Sequence, residues 1–199
     1  MKNLSLHKLS LNSSGSDGIL LCDFLQLRHD IFVEKLSWEL TTIGGLEVEE
    51  YDTEDAIFIV AVDNETQKVV GGARLLRTDH EMSACAFSDE TVTYMIKDAF
   101  EGKLDGIPAQ ITLEQPPTSK AIWELTRLIS TGGAVVVEAI LFEAQRILKT
   151  KMATECLFLG PPSFMRMARK MGFQPKPLGP VVEEQSGKYL AFSCNVLGD

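Results

Sequence analysis

The run AIWELTRLI, residues 121–129, constrains the fold more than any other stretch of the chain. Seven apolar or β-branched residues surround one acid, Glu124, and one base, Arg127, so the segment reads as a buried strand that carries two charges. Charged side chains are rarely buried unless paired, and an unpaired buried charge is costly. The fold must therefore supply partners for both. Their odd offset adds a second demand. Regular alternation sends Glu124 and Arg127 to opposite faces, so they share one face only if the strand bulges or twists between them.

The flanking segments say what kind of sheet this strand joins. After "TGG" comes a strongly periodic helix over about 134–151, with Val136, Ile140, Ala144, Ile147 and Leu148 as its buried stripe. "TECLFL" predicts a short strand, and "PPSFMRMARKMGF" a short helix with prolines at its start and Gly172 at its end. "VVEEQSGKYLAFSCNV" predicts two strand-like segments around Ser186-Gly187. Upstream, "AIFIVAVD" (56–63) and "KVVGGARLL" (68–76), joined by "NETQ", predict a hairpin.

A helix is predicted from Gly18 to Leu36, capped by Asp17, with Leu20, Phe24, Leu27, Ile31 and Leu36 on one face. "YMIKDAFEGKL" predicts a short helix and "DGIPAQITLEQPPTSK" a long loop. Hairpins early and alternating helices and strands late predict one α/β domain over residues 1–199, a mixed central sheet flanked by helices.

Composition narrows the function. A net charge of −9, from 19 basic and 28 acidic residues, argues against a nucleic-acid partner. No apolar run approaches the ~20 residues that cross a bilayer, and the first residues lack the apolar core of a secretory signal. The four cysteines are scattered and the three histidines isolated, which predicts no metal site, no disulfide framework and a reduced, cytoplasmic setting. Between Arg146 and Lys176 stand seven basic residues against one acid, Glu155. That segment is either a solvated helix face or a surface that steers an acidic partner.

Three constellations could carry chemistry. Glu47, Glu49, Glu50, Asp52, Glu54 and Asp55 place six acids in nine residues, either a solvated loop or carboxylates for a cationic small molecule. Arg28 in "LRHDIF" and Arg74 in "GGARLL" emerge from apolar stretches as Glu124 and Arg127 do, which suggests a polar cluster or structural ion pairs. Phe32 and Trp38 read as core residues or aromatic lids. Gly132-Gly133 could present N–H groups to a phosphate, although an ordinary loop is the simpler account.

Taken in order, these residues resemble the acyl-homoserine-lactone synthase (autoinducer synthase) family of bacterial quorum sensing. The resemblance rests on Arg28-x-x-x-Phe32, Trp38, Glu47-x-Glu49-x-x-Asp52, "GGARL" with Arg74, "YMIKDAF" ending in Phe100, and "WELTR", over residues 24–175. Glu49 stands where the family usually has Asp, and segments 79–93 and 103–120 are longer than its usual connections.

The resemblance implies a GCN5-related N-acyltransferase-like fold, its mixed sheet splayed into a V. It implies synthesis of an N-acyl-L-homoserine lactone from S-adenosyl-L-methionine, as substrate rather than cofactor, and an acyl thioester on acyl carrier protein or CoA, with release of 5′-methylthioadenosine. Glu124 would be the base, acting with Arg74 and Arg127. Arg28, Phe32, Trp38, Glu47, Glu49, Asp52 and Phe100 would bind substrate, and Lys149, Lys151, Arg166, Arg169 and Lys170 would dock the carrier. Two other readings stay open: a general N-acyltransferase on another amine, whose pyrophosphate loop "TGGA" matches poorly, and a non-catalytic protein that binds S-adenosylmethionine or an acyl carrier.

Overall fold

A computed structural model describes residues 3–80, 82–83, 91–104, 106–184 and 187–196. Most of the 79–93 connection and Ser186 of the last turn lie outside the described residues. The chain divides into two compact units: Met1–Leu75, Ser83–Glu90 and Arg127–Ala144 in the first, Leu76–Met82, Thr91–Thr126 and Gln145–Asp199 in the second.

The first unit opens with strand β1 (Leu4–Leu9) and helix α1 (Gly15–Arg28), which continues as a π-helical turn over His29–Lys35. The two-residue strands β2 (Thr42–Ile43) and β3 (Leu46–Glu47) pair antiparallel. β4 (Ile57–Asp63) and β5 (Lys68–Arg77) form the predicted hairpin, with a bulge at Ala61/Val62. β1 pairs antiparallel with the outer side of β4 and was not predicted. Only Leu9 of its six residues is buried, because an edge strand can keep polar side chains in water.

Two glycines in β5 set how closely its neighbours pack. A Cβ on Gly72 would lie 2.5 Å from the Phe24 ring of α1 and 2.6 Å from the Ile59 carbonyl. One on Gly71 would lie 2.6 Å from the Ile129 carbonyl. Phe24 fills the space that the missing side chain leaves, and is fully buried.

The first helix departs from expectation. It begins at Gly15 with Ser14 at the cap position, so Asp17 falls within the first turn. Its buried face is Leu21, Phe24, Leu25 and Arg28, followed by Phe32, whereas Leu36 is 48% exposed. Counting apolar residues alone skips Arg28, which occupies an inward position, and the π-turn then breaks the 3.6-residue period.

The second unit holds the short strands β6 (Met82–Ser83, whose last residue belongs to the first unit) and β7 (Thr91–Val92). Helix α2 (Met95–Phe100) follows, shorter than the 94–104 span of the predicted segment. β8 (Ile122–Ser130) realises the opening stretch and crosses the boundary between the units after Thr126. The predicted helix is α3 (Ala134–Thr150), with all five residues of its stripe buried.

β9 (Glu155–Gly160) runs parallel to β8, Ile122 opposite Glu155. Helix α4 (Ser163–Lys170), β10 (Lys176–Pro177), β11 (Val182–Glu184) and β12 (Gly187–Asn195) complete the chain. β12 pairs antiparallel with β9, β10 and β11.

Tyr94, Ile96, Ala99, Ile111, Leu157 and Ala191 pack on one face of this sheet, and Met165, Ala168, Leu190, Phe192 and Cys194 on the other. The predicted loop 105–120 is therefore tethered. Ile111, in a 3-10 turn over Ala109–Ile111, is wholly buried. No described helix is long and apolar enough to cross a membrane.

Candidate active site

In the first unit, four elements bring three arginines onto three carboxylates. Arg28, on the buried face of α1, donates from Nε to Glu47 and from Nη1 and Nη2 to the two oxygens of Asp52, at 2.8 and 2.9 Å. Arg74, from β5, donates to Asp52 at 2.7 Å and to Glu49 at 2.5 Å. Arg127, from β8, donates through Nη2 to Glu47 at 3.0 Å and to Glu49. Arg28, Glu47, Asp52 and Arg74 are fully buried. Forked guanidinium–carboxylate pairs of this kind fix orientation as well as charge.

The acid run is thus no solvated loop. Glu47, Glu49 and Asp52 turn inward, and only Glu54 and Asp55 are exposed. A turn places them: the Asp52 N–H donates to the Glu49 carbonyl at 2.9 Å, and the Glu49 N–H to the Asp52 carboxylate at 3.0 Å.

Aromatic rings back each cation. Phe24 lies under Arg28 at 5.9 Å, Tyr51 under Arg74 at 5.6 Å and Phe32 under Arg127 at 5.2 Å. Phe32 also stacks on Trp38, with centroids 5.0 Å apart and planes 12° apart.

Burial opposes the charged forms of Arg28, Glu49, Asp52 and Arg74, and opposite charges outweigh it. Burial pushes the Asp52 carboxyl up, but Arg74 and Arg28 hold it well below the usual carboxylate range. Glu49 is likewise lowered, against burial, by Arg127 and Arg74. Burial would discharge Arg28, yet Asp52 and Glu47 raise its pKa above that of a free guanidinium. Glu50 goes the other way: burial is the main cause, and beside Glu49 its carboxyl is raised.

The opening question has two separate answers. Arg127 sits at φ 52°, a left-handed conformation that breaks strand alternation at this residue, and its charge is met by Glu47 and Glu49. For a non-glycine residue that geometry costs about 1–2 kcal/mol, a strain that clusters at functional sites.

Glu124 belongs to the second unit, fully buried, and its two oxygens accept the backbone N–H groups of Met95 and Ile96 at 2.8 and 2.9 Å. It anchors the start of α2. Around it, Thr93 donates from N–H and hydroxyl to Asp98, and Tyr94 donates to the Pro117 carbonyl at 2.6 Å.

Phe100 ends α2, half-buried in the second unit. Lys151, Arg166, Arg169 and Lys170 are exposed and Lys149 is half-buried, all in that unit. Gly133, at φ 77°, leads into α3, while the Gly132 N–H already donates to the Ser130 hydroxyl, so this pair is an ordinary loop. Sequence reasoning missed Tyr51. A lone aromatic inside an acid run was the available signal, since a solvated loop has no use for one.

The family model "Autoinducer synthase" matches residues 17–160. The chain belongs to the autoinducer synthase family. An acyl-homoserine-lactone synthase of Acinetobacter nosocomialis is 28% identical over 187 residues, 88% of this chain and 90% of that protein. One of Ralstonia solanacearum is 30% identical over 165 residues, 77% of this chain and 71% of that protein.

The fold is shared with solved autoinducer synthases. LasI superimposes with a TM-score of 0.78 at 17% identity, over 99% of this chain and 92% of that one. BjaI, a CoA-dependent synthase solved with S-adenosylmethionine and isopentyl-CoA, gives 0.75 at 22%, over 98% and 84%. A protein from Lactobacillus plantarum described as a candidate N-acetyltransferase gives 0.58 at 12% identity, over 98% and 99%, in keeping with the acyltransferase-like fold that the family resemblance implies.

Proposed function

We propose that this autoinducer synthase makes an N-acyl-L-homoserine lactone from S-adenosyl-L-methionine and an acyl thioester, releasing 5′-methylthioadenosine. The observation that carries the proposal is the closed network of Arg28, Glu47, Glu49, Asp52, Arg74 and Arg127, in which the charged motifs of the family meet.

In the first step the α-amine, having lost a proton, attacks the thioester carbonyl. A C–N bond forms, the C–S bond breaks and the carrier thiol leaves. In the second step the methionyl carboxylate attacks its own γ-carbon, a C–O bond closes the lactone, and the bond to the sulfonium breaks. Nothing is oxidised or reduced and the sulfonium is its own leaving group, so no further cofactor is invoked.

Glu124 is the proposed base, directly or through a water; the Met95 and Ile96 amides, whose N–H groups it accepts, hold its carboxylate in a fixed orientation. All three nitrogens of Arg28 already donate to Glu47 and Asp52, so it has little left to offer a ligand. Arg127, with Nη2 alone engaged among the described residues, is the better holder of the substrate carboxylate. Arg74 keeps Glu49 and Asp52 in place, while Phe32, Trp38 and Phe100 exclude water. Lys149, Lys151, Arg166, Arg169 and Lys170 dock the acidic carrier, or a CoA donor in its place. The cytoplasm, where both substrates are made, is the setting.

The test is incubation of the purified chain with S-adenosylmethionine and a panel of acyl-carrier-protein and acyl-CoA donors. Methylthioadenosine released together with acyl-homoserine lactone is the expected result. Amide formation without it would indicate a general N-acyltransferase, and saturable binding without turnover a sensor.

A further inference from the structure

The balance of charge beside Arg127 points to a residue that the family motifs leave out. Three guanidiniums face three carboxylates in the network, so its formal charges cancel. Glu50, between Glu49 and Tyr51, is a fourth carboxylate that is half-buried and makes no ion pair among the described residues. The charges of Glu49, Arg127 and Arg74 all act on it. A carboxylate partly withdrawn from water without a counter-ion favours binding of a cation.

A second, independent observation concerns Arg127, which is bonded to Glu49, the residue before Glu50. Arg127 has a side chain only 6% exposed, and its Nε is buried with no acceptor among the described residues. Nη2 alone carries both of its ion pairs. A buried guanidinium N–H without an acceptor is a donor awaiting one. A donor on an arginine bonded to Glu49, and a carboxylate on the next residue of the chain, match the two ends of an α-amino acid.

We propose that Glu50 receives the α-ammonium of the substrate while Arg127 receives its α-carboxylate, so that the pair selects a zwitterionic amino-acid terminus. This rests on the proposed use of S-adenosylmethionine. That substrate carries an ammonium, a sulfonium and a carboxylate, a net charge of +1, which complements a neutral network plus one free carboxylate.

Calorimetric titration of wild type, Glu50→Gln, Glu50→Asp and Glu54→Gln with S-adenosylmethionine and with 5′-methylthioadenosine tests this. Methylthioadenosine lacks the amino-acid terminus, and Glu54→Gln removes an equal charge from an exposed acid nearby. Glu50→Gln is expected to weaken S-adenosylmethionine binding about tenfold or more. It should leave methylthioadenosine binding unchanged. Glu50→Asp should retain part of the affinity, and Glu54→Gln all of it.

Equal S-adenosylmethionine affinity in wild type and Glu50→Gln overturns the assignment, as does a parallel loss for both ligands. A wild-type chain that binds no S-adenosylmethionine would instead overturn the proposed function on which this rests.

Discussion

At the scale of single residues, the buried charges are held by different kinds of partner, and substitution should tell them apart. Glu124 is tied to two backbone amides at the start of α2. As an ordinary surface acid, its change to Gln would leave stability within about 0.5 kcal/mol. With one amide now facing an NH2 group, the expected cost is about 1–3 kcal/mol in urea unfolding. Methylthioadenosine release should fall at least about a hundredfold. Full turnover in that variant would remove Glu124 as the base, and unchanged stability would remove it as the anchor of α2.

Arg28 poses the complementary case. Lysine carries a charge but not the fork that spans Asp52 and Glu47. Arg28→Lys is therefore expected to destabilise by about 3–5 kcal/mol, the usual cost of breaking a buried ion pair, read from the urea midpoint. A variant as stable as wild type would mean that the network does not hold the fold.

At the scale of elements, the β4–β5 hairpin, α3, β9 and the β11–β12 pair were legible because period and composition agreed in each. α1 was legible as a helix but not in its face. An arginine stands at an inward position, and no count of apolar residues can say that Arg28 is buried. β1 was invisible for the opposite reason, since five of its six residues stay at least partly in contact with water.

The "GG" of β5 is the most specific element-level signal. Gly72→Ala would drive a methyl group into Phe24 of α1 and the Ile59 carbonyl of β4. The expected loss is about 1–3 kcal/mol, the usual cost of overpacking, measured by thermal unfolding. An unshifted transition would mean that α1 can stand further from the sheet.

At the scale of the whole molecule, the −9 net charge conceals an uneven distribution: basic residues crowd the chain after Arg146, and acids meet arginines in the first unit. The acids of that network couple stability to pH. Asp52 and Glu49 have carboxyls depressed in the folded state, so they stabilise fully above their unfolded values, about 3.9 and 4.3. That contribution disappears as pH falls through and below them. The urea midpoint is expected to hold near neutrality and to drop steeply below about pH 4, and a midpoint level down to pH 3 would contradict it.

What the residues alone determined was the class of fold, most of its elements and which charged side chains belong together. Those follow from local period and from the cost of leaving a charge in an apolar segment unpaired. What only the tertiary structure decided was the pairing itself. Glu124 found backbone amides rather than Arg127, and Arg127 found the acids some eighty positions earlier. Partners so distant in the chain are chosen by which surfaces the packed core brings within a few ångströms, and no local pattern carries that information.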